Sequence, residues 1–224
     1  MGNINVNGMI ISSAPIGEYD RRVEILTSEY GRISAFASGA RKPNSELVSA
    51  SRMFALGTFE LYQGRSSYNI KHAHIVDYFT ELETDVESAY YGFYFLEFCR
   101  YFSRENVEAG SMLDLLYRSL KALAKSNIDN RLVRAIFELK MLDINGICPA
   151  PEDIIPSFGR FSIGNDLKDG TAYAVRFVIT SPIEKLYTFK LDEEVLGQFI
   201  SVVNHLTDIF IDKKFKSSEL LNTL

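Results

Sequence analysis

Five short stretches of alternating polarity in the first 80 or so residues, and a switch to helical spacing from Leu82 onward, predict an α+β chain. The expected architecture is an N-terminal five-stranded OB-fold barrel at residues 1–80, followed by a mainly helical domain at residues 81–224. A third observation gives the barrel a purpose. A strand pattern from Gly31 to Ser38 runs straight into a cationic Gly/Pro loop, Gly39-Ala40-Arg41-Lys42-Pro43-Asn44-Ser45.

Val6–Ser13 reads as the first strand, Ala14–Asp20 as a turn-rich connection, and Val23–Thr27 as the second strand. Ser28-Glu29-Tyr30-Gly31 turns the chain into the third, where Ile33, Ala35 and Ala37 alternate with Arg32, Ser34, Phe36 and Ser38. An apolar stretch from Met53 to Tyr62 and, beyond Gln63-Gly64-Arg65, an alternating one from Tyr68 to Val76 complete the five. Closing such a set into a barrel removes its exposed edges.

From Leu82 the apolar residues Val86, Ala89, Phe93 and Leu96 share a helical face widened by Tyr90, Tyr94, Phe98 and Tyr101, which predicts a helix central to a second core. Ser111 is placed to cap a second helix, with Asp114 three residues on, and Asp129 opens a third that Gly146 ends. Short polar turns between helices predict a bundle. Cys148-Pro149-Ala150-Pro151 interrupts the pattern, and Phe158–Ile163, Gly164-Asn165-Asp166 and Ala172–Val178 suggest a small irregular or hairpin insertion at about 147–190. Asp192 caps a last long helix, and Lys213–Leu224 forms a basic, then apolar tail.

Composition narrows the function classes. At 224 residues, with 46% hydrophobic and 24% charged, the chain can bury one sizeable core or two small ones. Two cysteines, Cys99 and Cys148, cannot build a disulfide framework or a four-thiolate metal site. The N-terminus shows no cationic segment followed by an apolar one, Val6 stands where a myristoylation signal needs Ser or Thr, and the apolar run Ala89–Cys99 is broken by Glu97. No membrane association is expected, and the cytoplasm is the expected compartment. Net charge is −5, yet residues 21–71 carry eight cations against four acids, leaving −9 for the remainder. That asymmetry suits a polyanion-binding head on a more acidic interaction body.

Catalytic signatures are missing: there is no G-x-S-x-G elbow, P-loop, G-x-G-x-x-G or H-E-x-x-H. No enzyme activity, cofactor or metal is expected. His72 and His74 lie two apart on one strand face without an apparent third ligand, and Cys148 has no histidine nearby in sequence. Arg32 and Phe36 share a strand face, so a guanidinium and a ring can line one groove, for phosphate and for base stacking respectively. Alternation alone leaves open whether Phe36 faces that groove or the barrel interior. Arg41 and Lys42 are equally compatible with phosphate contact and with a solvated loop.

Certain blocks resemble a known family. Tyr-Asp-Arg-Arg at 19–22, Leu-Thr-Ser-Glu-Tyr-Gly-Arg at 26–32, Gly-Ala-Arg-Lys-Pro-Asn-Ser at 39–45, Phe-Glu-Leu at 137–139 followed by Gly146, and Phe-Lys-Ser-Ser-Glu-Leu-Leu at 215–221 are similar, in order, to the signature blocks of RecO, a bacterial recombination mediator of DNA repair. The resemblance implies an OB-fold, a helical C-terminal domain, binding of single- and double-stranded DNA, and annealing of complementary strands. It also implies loading of RecA onto DNA coated by single-stranded-DNA-binding protein, with RecR and often RecF as partners. By matching positions it assigns DNA contact to Arg32, Arg41 and Lys42, with Arg21 and Arg22 as additions. It further implies that the helical domain receives the acidic, Phe-ended C-terminal tail of the single-stranded-DNA-binding protein. Arg131 and Arg134, three apart just before Phe-Glu-Leu, are the candidates for its carboxylates; a solvated basic helix edge is the other reading. Many relatives carry two Cys-x-x-Cys pairs for zinc after the Gly-x-x-Pro turn, whereas this chain has Cys148 alone. The rival readings are a DNA-blind protein–protein adaptor and a general single-strand nucleic-acid binder.

Overall fold

Strand order settles the N-terminal part of the molecule. In the computed structural model, which describes residues 2–65, 67–125, 127–161 and 167–217, β1 (Asn3–Ile16), β2 (Asp20–Thr27), β3 (Gly31–Ala37), β4 (Leu56–Gln63) and β5 (Tyr68–Asp77) close into a barrel in the order β1-β2-β3-β5-β4. This is the five-stranded OB-fold anticipated from the strand count. β1 closes it by serving two neighbours: Asn3–Met9 pair with β4, and Gly8–Ile16 pair with β2 across a bulge between Ile10 and Ser12. The strand is longer than the expected Val6–Ser13. Ala14, Pro15 and Ile16 pair with Arg22, Arg21 and Asp20, and no β4 partner lies beyond Met9, a setting in which a strand proline is tolerated. A four-residue helix, α1 (Leu47–Ala50), lies between β3 and β4.

Alternation along each strand fills the interior with Val6, Ile10, Val23, Ile25, Ile33 and Phe59, among others. Phe59 is fully buried, and burial of such a ring contributes about 3 kcal/mol.

By contact density the described chain divides into two units, Met1–Asp85 with Phe93–Leu113 and Val86–Gly92 with Asp114–Leu224. Helix α2 (Val86–Phe102) therefore belongs to both units. In the first unit, Phe93 packs on Phe54 at 5.1 Å, and Phe98 packs between Tyr94 and Phe102.

The second unit is helical: α3 (Gly110–Lys125) from Asp114 on, α4 (Asn130–Ile144), α5 (Pro151–Phe161), α6 (Asp169–Thr180) and α7 (Glu193–Phe210). Its most buried element is α4, not α2. Leu132, Val133 and every residue from Ala135 to Leu142 are buried, and α4 packs on both α6 and α7. Two charges inside that run are partnered: Lys140 Nζ donates to Asp143 Oδ2 and to the Ile179 carbonyl, each at 2.8 Å, and Glu138 accepts from Arg134. Asp129 and Asp192 cap α4 and α7 as expected, accepting from the Arg131 and Val195 amides.

The hairpin expected within residues 147–190 is not what the described residues form. Ala172–Val178 lie in α6, where Thr171, Ala174, Val175 and Val178 are buried at helical spacing; the alternating look of Ala-Tyr-Ala-Val-Arg-Phe-Val fits both periods, and burial chose the helical one. Pro151 starts α5 at a position where no amide is needed, and Pro156 inside it forgoes one helical bond. The expected turn at 164–166 and the tail beyond Ser217 lie outside the described residues. No described helix is long and apolar enough to cross a membrane.

Candidate nucleic-acid interface

β2 and β3 present one face to the barrel core and one outward. Ile33, Ala35 and Ala37 are buried in the core cluster, so Arg32, Ser34 and Phe36 point outward, and the direction of Phe36 is decided. Phe36 stands opposite Arg22 on β2 and opposite Asn69 on β5, to which β3 pairs in parallel. Arg22, exposed, donates from Nε to Ser34 Oγ at 3.1 Å. Arg21 falls on the other face, the parity of Val23. Its guanidinium donates to Ser13 Oγ at 3.1 Å, and its buried Nε has no acceptor among the described residues. The Arg21-Arg22 run is thus split across the sheet by strand period alone.

The outward face itself is divided. Toward the start of β3, Arg32 Nη1 donates to the Arg100 carbonyl at 3.1 Å, near the C-terminus of α2, and the Arg32 amide bonds the Arg104 carbonyl at 3.1 Å. Arg100 in turn grips Glu24, donating from Nη2 to Oε1 at 3.0 Å. Gly31 allows this approach: at φ +64° it lies where a Cβ would stand 2.1 Å from the Arg104 oxygen and 2.4 Å from that of Val107. Arg32 and Phe36 share a face, as expected, but Arg32 lies against α2 whereas Phe36 lines an open cavity of about 630 Å³.

That cavity is walled by Arg22, Ser34 and Phe36, by Gln63 at the end of β4, Arg65 of the β4–β5 connection and Tyr68 at the start of β5, and by Glu105 and Asn106. At the same end of the β2–β3 pair lie the Gly17–Tyr19 turn and the Gly39–Ser45 loop, tied into one piece. Gly39, at φ +72°, donates its amide to Asp20 Oδ1 at 2.7 Å, and the Arg41 amide donates to the Tyr19 carbonyl at 2.8 Å. Arg41 Nη1 reaches the Gly17 carbonyl at 3.3 Å, and the Lys42 ammonium sits 5.4 Å from the centre of the Tyr19 ring. Both cations are exposed. A β2–β3 face flanked by the β1–β2 and β4–β5 connections is the surface on which OB-folds take oligonucleotides. Arg65, Glu105 and Asn106 escaped the sequence reading; Gln63-Gly64-Arg65 was legible as a turn, but nothing in sequence brings Glu105 to it.

In the helical unit the two arginines expected to meet a partner's carboxylates already hold carboxylates. Arg131 forks onto Glu193 through Nη1 and Nη2, each at 2.9 Å, and reaches Asp129 at 2.7 Å. Arg131 holds the Asp129 and Glu193 carboxyls below their ordinary range, and its own guanidinium is raised by the same bonds. Arg134 donates from Nε to Glu138 Oε1 at 2.8 Å, where the acceptor is only 1% exposed. Elsewhere in this unit a cavity of about 580 Å³ is lined by Arg118, Lys121 and Lys125 of α3, with Tyr117 and Tyr187. Those three cations at i, i+3 and i+7 were legible as one helix face.

Neither histidine nor cysteine builds a reactive centre among the described residues. His72 and His74 are exposed and stand opposite Glu60 and Thr58, and no group of three or more His, Cys, Asp or Glu converges. Burial pushes the Cys148 thiol up to about 12, away from thiolate character at neutral pH.

Family models for "Recombination protein O N terminal" and "Recombination protein O C terminal" match residues 1–79 and 83–153. The chain is similar to the DNA repair protein RecO of Acetivibrio thermocellus, at 24% identity over 100% of this chain and 98% of the relative. It is also similar to that of Clostridium novyi, at 25% identity over 96% and 92% of the two chains. With the Alkaliphilus metalliredigens protein of the same name it shares 30% identity over 65% of this chain and 59% of the relative.

Proposed function

The chain belongs to the RecO family of DNA repair proteins, and from that premise we propose that it is a non-enzymatic mediator that binds single- and double-stranded DNA, anneals complementary strands and assists RecA loading onto DNA coated by single-stranded-DNA-binding protein. In this reading residues 1–80 supply the DNA-binding domain, residues 81–224 the partner-binding one, and the protein works in the cytoplasm at the nucleoid. The observation that carries it is the cationic end of the β2–β3 face on a chain whose net charge is −5. Arg22, Arg41 and Lys42 hold phosphates and so lower the repulsion between two strands brought together. Arg32 and Arg21, each bonded within the barrel unit, add positive potential behind them.

The acidic tail of the single-stranded-DNA-binding protein docks on the helical unit, with RecR, and RecF where present, completing the assembly. For the tail, Arg131 is the more exchangeable of the two α4 arginines, since Glu193 is 77% exposed and can yield its place, whereas Arg134 is engaged with a buried carboxylate. The α3 cations around the second cavity favour a second docking reading. The deciding experiment is annealing of complementary oligonucleotides precoated with the cognate single-stranded-DNA-binding protein. Wild type should anneal them and Arg41→Ala/Lys42→Ala should not; failure of wild type would overturn the mediator reading and leave its two rivals, which a gel shift with uncoated single-stranded DNA tells apart. Tail-peptide titration of Arg131→Ala and of Lys121→Ala/Lys125→Ala tells the two docking readings apart.

A further inference from the structure

The cavity beside Phe36 contains a group that phosphate binding does not explain. Glu105 stands on its wall, exposed and without an ion pair among the described residues, where a DNA backbone would meet a like charge. Its position is held by the backbone rather than left to a free loop. Glu105 bridges Gly31, the Arg32 amide donates to the Arg104 carbonyl at 3.1 Å, and the Asn106 amide donates to the Tyr30 carbonyl at 2.9 Å. Asn106 is left-handed, at φ +61°, and its side chain lines the same cavity. A left-handed non-glycine residue is uncommon, and asparagine tolerates it best. After burial, the nearby Glu105 carboxylate is the next largest influence raising the Tyr68 phenol above its ordinary value, so the negative charge is felt at the cavity wall.

The other walls suit a base held beside its own backbone. Phe36 offers a ring, the amides of Gln63 and Asn106 both donate and accept, and Arg22 and Arg65 on the same walls are cations for the flanking phosphates. About 630 Å³ is within the range of small-ligand sites. A carboxylate accepts from an exocyclic amine, such as N4 of cytosine, and repels the O4 carbonyl that thymine presents at the same position. We propose that this cavity takes one unpaired, amine-bearing nucleobase of a bound single strand, stacked on Phe36 and read by Glu105, so that the protein prefers cytosine to thymine there. Duplex DNA, with its bases stacked and paired, cannot fill the cavity, and its affinity does not depend on Phe36. The inference rests on the DNA-binding reading above.

The test measures fluorescence anisotropy with oligo(dC), oligo(dT) and a blunt duplex of equal length, at a pH where cytosine stays neutral. Wild type should favour oligo(dC) about fivefold, the discrimination of one good base-edge contact. Glu105→Ala should bring the ratio to about one, even though losing an acid strengthens binding to every DNA. Phe36→Ala should weaken both single strands about tenfold and leave the duplex unchanged. Phe36→Leu, which keeps apolar volume but has no ring face, should do the same if the circular dichroism of the alanine variant shows damage. A ratio of one in wild type, a ratio kept in Glu105→Ala, or equal losses on single strand and duplex in the Phe36 variants overturns the base pocket. If the wild-type salt dependence still falls on replacing Arg41 and Lys42, the phosphate-binding reading survives that result; if wild type binds no DNA, both fall.

Discussion

Replacing Arg41 and Lys42 together by alanine should change how DNA binding responds to salt, by an amount that follows from their surroundings. Both side chains are exposed; Arg41 makes one long bond, 3.3 Å, to the Gly17 carbonyl, and Lys42 makes a ring contact with Tyr19. Neither is needed to hold a strand, so the variant keeps the barrel. Each phosphate that a single strand no longer places on a cation should lower the slope of log K against log salt by about 0.7, and the pair therefore by about 1.4. Between about 50 and 200 mM salt the variant should then lose about sevenfold less affinity than wild type. Arg32→Gln is the contrast. Its guanidinium is committed to the Arg100 carbonyl, so its removal should appear mainly as lower thermal stability and little as slope. Anisotropy titrations at four or so salt concentrations measure the slope, and an unchanged slope in Arg41→Ala/Lys42→Ala would refute the assignment of these cations to the DNA backbone.

Other outcomes follow from the packing. Gly31→Ala combines a left-handed backbone with overlap onto two main-chain oxygens, and should cost about 3 kcal/mol or more in denaturant unfolding; a loss under about 1 kcal/mol would show that residues 104–107 can move aside. Arg131→Ala should return the Asp129 and Glu193 carboxyls toward ordinary values in an NMR titration. Because folding lowers both values, the stability they contribute is present above the ordinary carboxylate range and is lost as pH falls through the lowered ones. The gap between wild type and Arg131→Ala should therefore be full at neutral pH and close below about pH 4, and a pH-independent gap would contradict it. Arg134→Ala removes a charge-assisted donor from a carboxylate that is 1% exposed, and should destabilise the helical unit by about 2 kcal/mol in urea, whatever it does to peptide binding.

Much of this molecule is written in local periods. Alternation marked the five strands, and their number led to the barrel. Aspartates at 129 and 192 announced two helix starts through short-range capping bonds that need no distant partner. The same local logic failed where two periods fit one segment. Ala172–Val178 reads as strand or helix, and only the neighbours that bury Ala174, Val175 and Val178 choose between them. It also misjudged which helix is central, because α4 buries its charged residues by pairing them, Lys140 with Asp143 and Arg134 with Glu138, and sequence alone shows charges rather than their partners.

For the candidate interface the division is sharper. Sequence by itself determined that Arg41 and Lys42 leave a glycine-started loop at the end of a strand, and that Arg32, Ser34 and Phe36 share a face, since both depend on residues a few positions apart. Only the tertiary structure decided that Phe36 turns outward, that Arg32 lies against the end of α2, and that Glu105 arrives beside Gln63 and Arg65. The reason is physical: Glu105 comes within reach of Gln63 only because the barrel closes and Gly31 lets the chain after α2 lie on β3. That approach joins positions far apart in the chain, so no local pattern could encode it.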